Sequence, residues 1–107
     1  MKRGDLVAVA ISGDFGKPRP ALIIQSDLFS EIPSVTVLPL TSTKIDAPLI
    51  RLDIEPTRAN GLRKASQVMI DKPMTIKRDK IGNTFGSLND AEMMTINRLL
   101  ALFLGFA

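Results

Sequence analysis

The alternation of apolar and polar side chains divides the chain into a series of short strand-like segments followed by one helical segment. Leu6 to Ile11 interleaves Val, Ile and Ala in a strand pattern, and Ser12-Gly13-Asp14-Phe15-Gly16 then carries turn residues, which predicts the start of a hairpin. Ala21 to Ile24 is continuously apolar, as expected of a strand covered on both faces, and Ser26 to Pro33 reads as a loop carrying Phe29. Val35 to Leu40 predicts a further strand, with Pro39 placing its end at a sheet edge or a bend, and Thr41-Ser42-Thr43 leaves it as a polar turn. Leu49 to Ile54 holds the clearest period of two, apolar at 50, 52 and 54 and polar at 51 and 53, so it predicts a half-buried strand. Pro56 and Asn60-Gly61 break the pattern, Ala65 to Ile70 resumes it with Ser66 and Gln67, and Lys72-Pro73 breaks it again. Met74 to Arg78 and Ile81 to Leu88 read as short irregular strands, the second with Gly82 and Gly86 permitting tight curvature.

The last segment changes period. Asn89 is placed to cap a helix, Glu92 three residues on completes a capping box, and Asp90 adds charge that suits the N-terminal end of the dipole. Met93, Ile96, Leu100, Phe103 and Leu104 recur at helical spacing, and Gly105 stands where a stop is expected. Leu99, Leu102 and Phe106 widen that stripe beyond one core face, which reads either as ordinary core packing or as a dimer or partner surface. Many short strands before one terminal helix predict a mainly β domain, residues 1–107, built as a small, strongly curved antiparallel sheet or barrel with the helix packed against it.

Composition narrows the chemistry. At 107 residues and 45% hydrophobic the chain has the size and apolar content for one core. It contains no Cys and no His, which removes thiolate chemistry, the usual zinc ligands, the Ser-His triad and paired-histidine acid/base catalysis. Any catalysis must rest on Arg, Lys, Asp, Glu, Ser, Thr or Gln. The net charge of +3 is compatible with an acidic partner such as nucleic acid. Asp5 interrupts the apolar run after Met1-Lys2-Arg3, and Leu99 to Ala107 falls far short of the roughly 20 residues that cross a bilayer, so the expectation is a soluble, intracellular protein.

Lys17-Pro18-Arg19-Pro20 is the segment with the most specific chemistry. Each proline fixes its own φ and pushes the preceding residue toward extended geometry, so Arg19 is held on a stiff mount. Such a mount suits a charge that meets a phosphate, and the same residues also read as a strand entry at a sheet edge with Arg19 solvated.

Four collinear pieces, Arg3-Gly4-Asp5-Leu6-Val7, Pro18 to Asp27, Pro39-Leu40-Thr41-Ser42 and Ala65 to Asp71, lie in the order and approximate spacing of the MazF/PemK-like toxins of type II toxin-antitoxin systems, which the chain resembles over nearly its whole length. The resemblance implies an SH3-like barrel with a C-terminal helix and a homodimer. It further implies a metal-independent endoribonuclease that needs no cofactor, works in the cytoplasm, cuts single-stranded mRNA at short motifs and is blocked by a cognate antitoxin. By position, the family's catalytic arginine falls on Arg19 and its catalytic threonine on Thr41. Where some relatives carry an acid and an arginine as base and acid, this chain has Ser66 and Lys64, and a serine is a poor base, so the proton acceptor is unassigned and Asp14 is one candidate. Ser42 and Gln67 are expected to touch RNA, the amide of Gln67 at a base edge. Lys17, Lys44, Arg63 and Lys64 are expected to follow phosphates, and Phe15 to stack a base. The rival functions are a CcdB-like gyrase poison, which shares the fold, and a non-catalytic nucleic-acid-binding relative.

Overall fold

In the computed structural model, which describes residues 1–10 and 17–107, seven strands and one helix follow one another. They are β1 (Asp5–Ala10), β2 (Pro18–Ile23), β3 (Ser34–Thr41), β4 (Arg51–Ile54), β5 (Ser66–Met69), β6 (Met74–Lys77), β7 (Ile81–Ser87) and α1 (Asp90–Leu104). All pairings are antiparallel, in the order β4-β5-β3-β2-β1-β7, with β6 also on β3.

β3 organises the sheet. On one side its Val37–Pro39 pairs with Ala21–Ile23 of β2. On the other side Ser34–Val37 pairs with β6, and Leu40 and Thr41 pair with Val68 and Gln67 of β5. Pro39 sits between those two sets, where a residue without an N–H costs no ladder bond, so the proline marks a bend within β3. The predicted strand therefore continues one residue past Leu40, and Thr41 ends a strand instead of beginning a turn.

The expected barrel is corrected by the structure to a curled sheet that stays open. β4 and β7 end the strand order and do not pair with each other. The reason lies in the connection after β4: Pro56 has no N–H to give a neighbour, and the chain swings across to β7 as an irregular segment, where the Ser87 N–H donates to the Ala59 carbonyl at 3.0 Å.

Alternation along β1, β2 and β3 feeds two cores. Leu6, Leu22 and Leu38 gather with Ile96, Leu99 and Leu100 of the helix, while Val7, Val9, Ile23 and Val37 gather with Ile76 on the opposite face. The central strands are thus covered on both faces, as the run Ala21 to Ile24 predicts. Ile96 is fully buried, which is worth about 1.5–3 kcal/mol for such a side chain. The predicted capping box is present: Asn89 Oδ1 accepts from the Glu92 N–H at 2.7 Å, and Glu92 Oε1 accepts from the Asn89 N–H at 2.9 Å. The helix ends at Gly105, where the Phe106 N–H turns back to the Ala101 carbonyl at 2.7 Å. Phe103 and Leu104, expected in the core stripe, are instead 45% and 50% exposed, since the buried face of the helix ends at Leu100.

Candidate active site

Arg19 lies within β2, opposite Val9 of β1, with Pro18 and Pro20 opposite Ala10 and Ala8. On its other side β2 meets β3 only from Ala21 inward, so the outer three residues of β2 leave a gap beside β3, and two of them have no N–H. Continuing the Ala21–Pro39 register by two residues brings Arg19 to the level of Thr41. The gap opens into a groove of about 790 Å³ that both residues line, together with Ser42 and Thr43 beyond β3.

The opposite wall is the segment Gly61–Lys64, set against Phe85 of β7. Asn60, buried, knots that segment: its Oδ1 accepts from the Thr57 and Leu62 N–H groups at 3.0 Å, and its Nδ2 donates to the Glu55 carbonyl at 2.8 Å. Two glycines let the wall close on β7. Gly61 adopts φ +66°, and a Cβ there would stand 2.4 Å from the Phe85 carbonyl oxygen, while one on Gly86 would stand 2.1 Å from that of Asn60.

The groove's charge is one-sided. Arg19, Arg63 and Lys64 line it, and no Asp or Glu does so among the described residues. Nor, among those residues, do three Asp or Glu side chains gather to hold a metal ion. Thr41 is half-buried, and its Oγ1 accepts the Thr43 N–H at 3.1 Å. With that lone pair occupied, its own O–H remains able to donate into the groove. A guanidinium carried on a proline-stiffened strand and a hydroxyl donor on one positive surface can grip a phosphodiester from two directions.

The model of PemK-like, MazF-like toxins of type II toxin-antitoxin systems matches residues 2–104. The chain belongs to this toxin family. A probable endoribonuclease MazF of Mycolicibacterium smegmatis is 47% identical to it, over 100% of this chain and 99% of the relative. Among solved structures, an endoribonuclease in complex with its cognate antitoxin from a mycobacterial species shares the fold with a TM-score of 0.84 at 23% identity, covering 100% of this chain and 97% of that one. A MazE-MazF structure from Deinococcus radiodurans does so with a TM-score of 0.80 at 18% identity, covering 98% and 95%.

In this MazF-like toxin the residues singled out in the sequence divide into those the groove collects and those it does not. Arg19, Thr41, Ser42, Arg63 and Lys64 line it. Lys17 is exposed but outside the lining, and Lys44 is 3.8 Å from Glu55. Asp14 and Phe15 lie outside the described residues, and Phe29 is exposed on a short 3-10 turn apart from the groove. Gln67 departs from its expected role at the RNA surface: it is 4% exposed and its amide is consumed by internal hydrogen bonds, to Ile45 and Asp53. Ser66 lines the groove as well, though it is nearly buried, and its hydroxyl donates to the Lys64 carbonyl at 2.9 Å, which fixes the wall. Sequence reasoning missed Leu62 as a groove residue and preferred Phe15 to the later phenylalanines for stacking, of which Phe85 lines the groove. Phe85 reaches the groove against Gly61, 24 residues away in the chain, a contact that no local pattern marks.

Proposed function

We propose that the chain is the toxin of a type II pair, a metal-independent endoribonuclease that cuts single-stranded mRNA at short motifs in the cytoplasm, acts as a homodimer and is silenced by a cognate antitoxin. The supporting observation is that Arg19 and Thr41 share one groove whose described lining carries three cations and no carboxylate.

The ribose 2′-OH attacks the neighbouring phosphorus and gives its proton to solvent, the O2′–P bond forms, the P–O5′ bond breaks, the departing O5′ takes a proton from solvent, and negative charge grows on the non-bridging oxygens between. Arg19 donates to those oxygens as the charge appears, and loss of one such donor typically costs about 10²- to 10³-fold in rate. Thr41 donates its hydroxyl hydrogen to the same linkage and holds it in line for attack. Ser66 is spent on the Lys64 carbonyl and does not take the 2′ proton. Arg63 and Lys64 follow the backbone phosphates, and the exposed side of Phe85 offers a ring on which an unpaired base stacks. A gyrase poison of the same fold would need neither Arg19 nor Thr41 in a common groove.

The test is a defined single-stranded RNA incubated with purified protein in the presence of a chelator. Wild-type protein is expected to cut it, and Arg19→Ala to lose cutting while keeping its unfolding transition. Undiminished cutting by Arg19→Ala would remove the assignment.

A further inference from the structure

Gln67 sits opposite Thr41 in the β3–β5 register and opposite Asp53 in the β4–β5 register, so it lies between the strand that ends in the site and the outermost strand. Its Oε1 accepts the Ile45 N–H at 3.1 Å, and its Nε2 donates to the Ile45 carbonyl at 2.9 Å and to Asp53 Oδ1 at 2.8 Å. One side-chain amide thus reproduces both bonds of an antiparallel rung with the peptide groups of Ile45, and its second hydrogen is anchored on β4. Ile45 belongs to no strand and its side chain is 47% exposed, so apolar burial does little to hold it.

We propose that Gln67 is a positioning residue for the reaction: it clamps the backbone at Ile45 and thereby sets the Thr41-Ser42-Thr43 edge of the groove without touching RNA. The route is short. Thr43, whose N–H orients the Thr41 hydroxyl, is two residues from the clamped peptide, and releasing Ile45 frees that N–H to leave Thr41. The catalytic half of this proposal rests on the assignment of Thr41 above; the clamp itself does not.

Three variants test it. Gln67→Leu keeps the approximate volume and deletes all three bonds. Gln67→Glu keeps an acceptor for the Ile45 N–H, loses both donors and sets a carboxylate against Asp53, and adding Asp53→Asn to it restores a donor between the strands. In Gln67→Leu, amide exchange at Ile45 is expected to quicken by about tenfold, the scale of losing a net hydrogen bond. Single-turnover cleavage is expected to fall by about 10- to 100-fold, as a misplaced catalytic group does. Affinity for an RNA with a 2′-deoxy scissile position should change less than about twofold, since no contact in the complex is lost. Asp53→Asn with Gln67→Glu should recover part of the rate lost in Gln67→Glu alone, and it supplies the same readouts if Gln67→Leu does not fold. Unchanged Ile45 exchange would overturn the clamp. Faster exchange with full cleavage would overturn the positioning role, and weaker RNA binding in proportion to lost cleavage would mean a direct contact and overturn it as well. Wild-type protein that cuts no RNA sinks the functional assignment instead, while the exchange rate at Ile45 still judges the clamp.

Discussion

Replacing Gly86 with alanine should damage the site from a strand that carries none of its catalytic groups. The added Cβ would stand 2.1 Å from the Asn60 oxygen, 2.3 Å from the Asn60 carbonyl carbon and 2.8 Å from the Ala59 oxygen. All three are backbone atoms, so relief requires moving the segment and not rotating a side chain. Overpacking of this kind costs about 1–3 kcal/mol. The shift also strains the Ser87–Ala59 bond, worth about 0.5–1.5 kcal/mol net, and pulls on the hydrogen bonds around buried Asn60. A total near 3 kcal/mol corresponds to a fall in Tm of about 10–20 °C for a domain of this size. Thermal unfolding followed by circular dichroism reads that loss, and cleavage at a temperature where the variant is folded reads the displaced wall. Gly82→Ala is the control on the same strand, since its nearest neighbour would be the Ala8 oxygen at 3.2 Å. A Gly86→Ala protein with the stability and cleavage rate of Gly82→Ala would refute the close approach, and with it the account of how the groove is walled.

Thr41→Val preserves shape but removes the hydroxyl, and should lower cleavage by about 10²-fold while costing about 1 kcal/mol or less in urea unfolding; Thr41→Ser should retain most of the rate. Lys64→Ala should weaken single-stranded RNA binding roughly equally across sequences and reduce the magnitude of the log–log salt slope by about 0.7, the amount expected for one phosphate contact, with fluorescence anisotropy as the readout. An unchanged slope would place Lys64 away from the backbone.

What could be read in the chain depended on the span of the interactions involved. The Asn89–Glu92 box joins residues three apart, and both its bonds were legible as letters. Pro39 signalled an edge or a bend, and the bend is where β3 changes partner from β6 to β5. Closure of the sheet was beyond reach, because whether β4 meets β7 depends on how the Glu55–Gly61 segment settles, and locally that segment reads only as a break. Helical spacing placed Phe103 and Leu104 on the core side but could not say where the buried face of the helix ends. Gln67 was misread because a polar residue in a strand pattern is ordinarily solvent-facing, whereas its partner Ile45 lies 22 residues away. Arg19 and Thr41 were found together through resemblance. The physical reason for their meeting, a register that carries Ala21–Pro39 outward, needs the pairing of two strands.

The prolines flanking Arg19 have a further effect on what can fill the cleft. An extended peptide often attaches to a protein by adding itself as one more strand, with main-chain bonds alternating along the exposed border. Two of the three residues in Pro18-Arg19-Pro20 have no N–H, so this stretch has few main-chain donors for an added strand and such zippering is frustrated there. A guest there, polynucleotide or polypeptide, meets a ring face, hydroxyls and cations in place of a main-chain ladder, so its recognition rests on side chains.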